Sequence, residues 1–557
     1  MRHIIPLIGL LCAAANLHAG DALYVNANIH TMDPSRPRGQ SLLVRDGRIA
    51  AINPDPDDPA LKADGLERID LMGRTVLPGL IDAHGHLQGL GAFGIGRLDL
   101  SAARSFSDVV GAVRDRVARA KPGEWILGGR WDHESWPEKN LPTHAAISSI
   151  SPDNPVWLRR VDGHAGIANA AAMKLAGITR TTPAPAGGEI IRDHAGEPTG
   201  VLVDNAMGLL DKALPDLSDA TADQLLKAQE MCFSVGLTSV HDMGVSPREV
   251  AVYRQLEAEG KLKLRVYALV PSFYAMRYFE ENGLYQGERL TVRAAKAYMD
   301  GAMGSRGAWM LEPYSDRPTD DAGKPYTGLA VSEPAFIGDL AAHALHRGYQ
   351  VCVHAIGDRA NREVLDAFER AAAESTRDTS ATLGSSRFRI EHAQLLSPSD
   401  VPRFAALGVI ASMQPTHCTS DMRWVDDRVG AERARGAYAW ASLLRSGAII
   451  AGGSDFPVES HNPFLGLYAA VTRRNLEGQP DGGWRPEQRV TREEALRMFT
   501  LSAAYAAFME GTIGSLAPGK QADFIIIDRD IMNCDDAAIP HTRVLRTVVA
   551  GETVYPL

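Results

Sequence analysis

Two histidines one residue apart, His84 and His86, close an apolar run in the stretch GLIDAHGH (79–86). A strand sends alternate side chains to one face, so both imidazoles can point at one cation. The same pair also occurs as ordinary strand or loop histidines, and the motif alone does not decide. Further along, residues of metal-binding type stand at the ends of other apolar runs: Lys296, His354, His392 and Asp455. Each has an ordinary reading too. His354 and His392 serve equally as buried histidines bonded to carbonyls, Asp455 as a helix cap, and Lys296 as an outward lysine laid along apolar surface. Six such residues at five strand ends are hard to obtain by chance. Imidazole with carboxylate suits zinc or another divalent transition metal. The pattern predicts a metal site that includes His84 and His86.

The elements that must position these residues are eight β-type runs at 75–82, 236–242, 264–270, 294–299, 349–354, 387–392, 409–414 and 448–454. Helical patterns follow most of them. Eight such units in series predict an α/β fold, a (β/α)8 TIM-type barrel, whose chemistry sits at the C-terminal strand ends. The barrel takes 75–87 and 231–512. Residues 88–230 are too long for one crossover and predict a large inserted subdomain after the first strand. Short strands in 20–74 and 513–557 are too few at either end to bury a sheet, so the two ends are expected to form one small β-sandwich. Candidate substrate contacts are His164 in the insertion, Arg306 after the fourth run and His417 after the seventh. Trp131 and Trp136 either line a pocket or fill the insertion's core.

The chain has 557 residues, 45% hydrophobic and 23% charged, with a formal charge of −10. That composition is globular, and the lack of a basic stripe argues against nucleic acid as a partner. Residues 1–19 combine Arg2, an apolar run over 4–15 and a small-residue site ending at Ala19. This predicts a cleavable bacterial-type leader and an exported, periplasmic or secreted protein. The run is too short to span a bilayer, and no other stretch is apolar enough. Cys232, Cys352, Cys418 and Cys534 read as free thiols rather than a disulfide framework.

In order, the motifs VLPGLIDAHGH, GGRWDHESWP, RVDGHAGIAN, AYMDGAMGSRGA, HAIGDRA, RIEHAQ, MQPTHC and GSDFPVES resemble the amidohydrolase superfamily. The nearer likeness is to its amidohydrolase 3, or YtcJ-like, branch, which includes N-substituted formamide deformylase. The resemblance implies one or two metal ions, usually zinc. It implies His84 and His86 on the first ion, His354 and His392 on the second, and Lys296 bridging them as a carbamate formed with carbon dioxide. It also implies Asp455 as first-ion ligand and as the general base and acid for a metal-activated hydroxide. The implied reaction is hydrolysis of non-peptide C–N bonds in small molecules of the N-acyl or N-formyl amine class. An inactive periplasmic solute- or metal-binding protein and an ester or lactone hydrolase are the alternatives, because a fold and a metal set do not name a substrate. A homodimer is compatible with all three.

Overall fold

The computed structural model describes residues 21–62, 65–215, 218–320, 322–375 and 383–556; the expected leader, 1–19, lies outside them. Eight strands run parallel in chain order: β1 (Leu80–Gly85), β2 (Leu237–Met243), β3 (Arg265–Pro271), β4 (Leu290–Tyr298), β5 (Gln350–Ala355), β6 (Arg389–His392), β7 (Ile410–Met413) and β8 (Ile450–Gly452). Each is buried nearly throughout, between a filled interior and an outer layer of helices. This is why their sequences are apolar runs rather than alternations. The ring is nearly closed. Between β1 and the segment that follows β8 there is a parallel bridge, Gly85 to Phe456. Beside it the Asp455 N–H donates to the His84 carbonyl at 2.7 Å and the His86 N–H to the Phe456 carbonyl at 2.8 Å. The TIM-type barrel is therefore present.

Two runs are placed differently from the sequence reading. The run at 75–82 is two strands. Thr75–Pro78 pairs with Phe524–Ile527 and Asn28–His30 in an outer sheet, and only Leu80–Gly85 enters the barrel. The break falls at Gly79, where a Cβ would lie 2.2 Å from Oγ1 of Thr238. The fourth strand begins at Leu290, four residues before the expected 294.

Strands from both chain ends form two facing sheets around Tyr24, Ile29, Leu42, Val76, Phe524 and Val548. Between β1 and β2, a six-stranded sheet runs from Leu98–Asp99 to Pro198–Asp204 and Gly188–Arg192, with its own apolar cores. The flanking helices Leu87–Gly94 and Thr221–Ser234 do not belong to that subdomain. Leu87, Leu90, Leu225 and Phe233 pack into the barrel's core. The two helices meet so closely that a Cβ at Gly91 would sit 1.7 Å from the Gln224 carbonyl. The insertion proper is thus shorter than 88–230.

Candidate metal centre and active site

All six expected residues reach one cavity, of about 640 Å³, at the C-terminal mouth of the barrel. His84 lies inside β1 and His86 just past it; Lys296 is in β4, His354 in β5, and His392 ends β6. On β4, Ala295 and Ala297 pack outward into the core beneath the helices. Alternation therefore turns Lys296 and Tyr298 inward. The turns off β6 and β8 are left-handed, with φ of +74° at His392 and +61° at Asp455. Such conformations are uncommon outside glycine and cluster at functional sites.

Donor atoms of His84, His392 and Asp455 lie within 4.8 Å of one another. Asp455 Oδ1 is 3.1 Å from His86 Nε2 and 3.5 Å from His84 Nε2, and Lys296 Nζ is 3.4 Å from His84 Nε2. Zinc–ligand bonds of about 2.0–2.1 Å give tetrahedral edges of about 3.3 Å. The cluster of His84, His392 and Asp455 therefore suits one shared cation, with His86 against the same Asp455 oxygen. His354 stands beside this group, its ring 4.6 Å from that of His392, with Nε2 directed at the Gly301 carbonyl at 3.3 Å.

Second partners fix which nitrogen each imidazole presents. Glu391 Oε2 accepts from His84 Nδ1 at 2.6 Å, the Met243 carbonyl from His86 Nδ1 at 3.1 Å, and Gln414 Oε1 from His392 Nδ1 at 2.8 Å. In all three, Nε2 is left for the centre, the usual arrangement around a bound metal. Glu391 is itself paired to Arg389, Nε to Oε1 at 2.7 Å, with both side chains fully buried. Arg389 also donates to the Ala83 carbonyl and to Ser412. Burial pushes the His84, His354 and His392 pKa values well below the ordinary imidazole range. Neutral imidazole is the metal-binding form. Burial also lowers the Lys296 ammonium and would raise Asp455, but the His84 and His86 imidazoles hold that carboxyl well below its usual range.

The substrate-contact candidates divide. His164 lines the cavity, its Nδ1 bonded to Asp204 at 2.7 Å and its ring 4.7 Å from that of His354. His417 lines an adjoining cavity, with Nε2 3.7 Å from Asp455 Oδ2. Trp131 does not reach the site. It is fully buried in the insertion, stacked on Trp136, with its indole N–H on the Leu158 carbonyl. Arg306 does not reach it either, because a left-handed turn at φ +62° sends its guanidinium to Asp316. Sequence reasoning missed Arg389, Glu391 and Gln414. The first two carried a signal: Arg389 and Glu391 share a face in RIEH, opposite charges inside a buried strand.

The sequence profile of the Amidohydrolase family matches residues 67–555. Similar relatives include LONG AFTER FAR-RED 3 of Arabidopsis thaliana, 37% identical over 96% of this chain and 92% of that protein. YtcJ of Bacillus subtilis (strain 168) is 32% identical over 96% and 99%. The N-substituted formamide deformylase of Arthrobacter pascens is 30% identical over 96% and 98%. A crystal structure of an uncharacterized metal-dependent hydrolase from Pyrococcus horikoshii superposes with a TM-score of 0.74 at 28% identity, covering 93% of this chain and 99% of that one.

Glu391→Gln removes the charged acceptor on His84 and leaves Arg389 without its carboxylate partner. Metal affinity should fall by roughly 10–100-fold, the usual cost of losing such an orienting group. Competition with a chromophoric chelator measures it, and an unchanged affinity would show that His84 needs no carboxylate behind it.

Proposed function

The chain belongs to the Amidohydrolase family, and from that membership we propose an exported hydrolase of non-peptide C–N bonds, acting on small N-acyl or N-formyl amines. The observation that carries this reading is the convergence of four histidines, Lys296 and Asp455 on one cavity at the barrel mouth. The N-substituted formamide deformylase among the relatives supports the amide class. A complete ligand set favours a working enzyme over an inactive binding protein.

His84, His86 and Asp455 would hold one ion, with His354, His392 and Lys296 available for a second. When bound, a divalent metal such as zinc supplies a Lewis acid for the amide carbonyl and lowers the pKa of water. For Lys296 to join in, its neutral amine must add to carbon dioxide, losing one proton to form a carbamate. Its burial, with no carboxylate ion-paired to it among the described residues, suits that change, since a bare ammonium beside dications is repelled. Asp455 faces His84 and His86 with Oδ1 and His417 with Oδ2. It accepts a proton from the attacking water and passes it to the departing amine nitrogen. His164, fixed by Asp204, reaches the cavity from the insertion beside His354 and would bind substrate there.

Asp455→Asn should keep the fold while turnover of N-formyl and N-acetyl amines falls by roughly 10²–10⁴-fold. Circular dichroism and steady-state kinetics check this, and near-wild-type turnover would remove Asp455 from the chemistry. Lys296→Ala should lose metal and activity together, and a short-chain carboxylate added to the medium should restore part of both. Wild-type metal content and rate in that variant would mean that the lysine bridges nothing. Export rests on the leader-like residues 1–19. N-terminal sequencing of the exported form should begin at or near Gly20, and an intact Met1 in the cytosolic fraction would count against it.

A further inference from the structure

The geometry points to a carboxylate on the substrate, gripped at the cavity mouth by Arg97 with Arg159 beside it; this rests on the amide-hydrolase reading above. Seven carboxylates line the larger cavity, and each is engaged within the protein. Asp162 takes Arg160, Asp204 takes His164, and Asp211 takes Arg159. Asp242 accepts from Tyr253, Glu249 from the Ser246 N–H, and Asp300 from three backbone N–H groups. Asp455 belongs to the metal centre.

The guanidinium groups are not balanced in the same way. Arg130 pairs with Asp99, Arg159 with Asp211, and Arg160 with Asp132 and Asp162. Arg97 lines the same wall, half-buried, and its guanidinium meets no acceptor among the described residues. Burial and the neighbouring Arg159 both disfavour its charge, and no carboxylate offsets them. The buried indole N–H of Trp157, on the same cavity lining, also has no acceptor among the described residues. An unpaired guanidinium on a concave wall is a bidentate docking point for a carboxylate.

The cavity is of drug-sized volume, large enough for one molecule to reach both Arg97 and the metal ligands. The chain as a whole is acidic, at −10, so the unbalanced Arg97 charge is a local feature and not a reflection of net charge. Arg97 comes from the inserted subdomain, whereas the metal ligands come from the barrel. The insertion therefore supplies selection and the barrel supplies chemistry.

The probes are 4-(formamidomethyl)benzoate and 4-(acetamidomethyl)benzoate, each beside the analogue in which a primary carboxamide of similar shape replaces the carboxylate. With metal-loaded wild type, kcat/KM for the carboxylate should exceed that for its carboxamide at least tenfold. Arg97→Gln should erase that ratio, and Arg97→Lys should keep part of it. Calorimetry on metal-loaded Asp455→Asn protein gives a readout independent of turnover: the benzoates should bind at least tenfold more weakly once Arg97→Gln is added. A ratio of one or less in wild type, or no Arg97-dependent preference in either measurement, overturns the proposal. Benzoate binding that depends on Arg97 without turnover of either acyl amine leaves the subsite standing and removes the amide-hydrolase reading. Efficient turnover of the carboxamides with no preference for charge does the reverse.

Discussion

The seam between the first and last barrel strands is the constraint on which the site depends. There the Asp455 N–H bonds to the His84 carbonyl and the His86 N–H to the Phe456 carbonyl. These bonds join the two ends of the barrel and also set the Asp455 carboxylate against the His84 and His86 imidazoles. Asp82 strengthens the seam, accepting from the Ser454 hydroxyl at 2.6 Å and from the His84 N–H at 3.0 Å. The approach is close enough that a Cβ at Gly453 would lie 2.6 Å from the His84 nitrogen. Local strand geometry thus sets the spacing of the His84, His86 and Asp455 side chains.

Holding so many polar groups in a barrel interior is costly unless each is paired. The protein answers with bonds beneath the candidate ligands: Arg389 to Glu391, Glu391 to His84, Gln414 to His392. Fully buried ion pairs add little net stability over apolar packing, and removing one partner is severe. The arginine–glutamate pair is better understood as positioning His84 than as stabilising the fold. Above it, the insertion roofs the site with paired charges such as Arg160 with Asp132 and Asp162, which leave His164 and Arg97 facing inward.

The barrel was legible because parallel strands buried on both faces read as apolar runs, and because strand ends are where such a barrel keeps its polar residues. His84, His86, Lys296, His354, His392 and Asp455 were all readable in that way, and all reach the cavity. Direction was harder to read than position. Arg306 stands just past a strand end yet turns to Asp316, because its backbone is left-handed. Trp131 belongs to a subdomain core that no single-strand pattern reveals. The split at Gly79 was hidden because two consecutive apolar strands, in different sheets, leave no polar residue between them. Arg97 follows no motif; its meaning comes from the pairing of every charge around it.

Hydrolysis by this protein is expected to depend on a metal ion held by these side chains. Elemental analysis of the protein purified without added metal, alongside His84→Ala and His392→Ala, tests it most directly. The wild type should carry at least one equivalent of a divalent transition metal, zinc foremost, and each variant should lose most of it. Fully active wild-type protein that carries no metal would contradict that dependence.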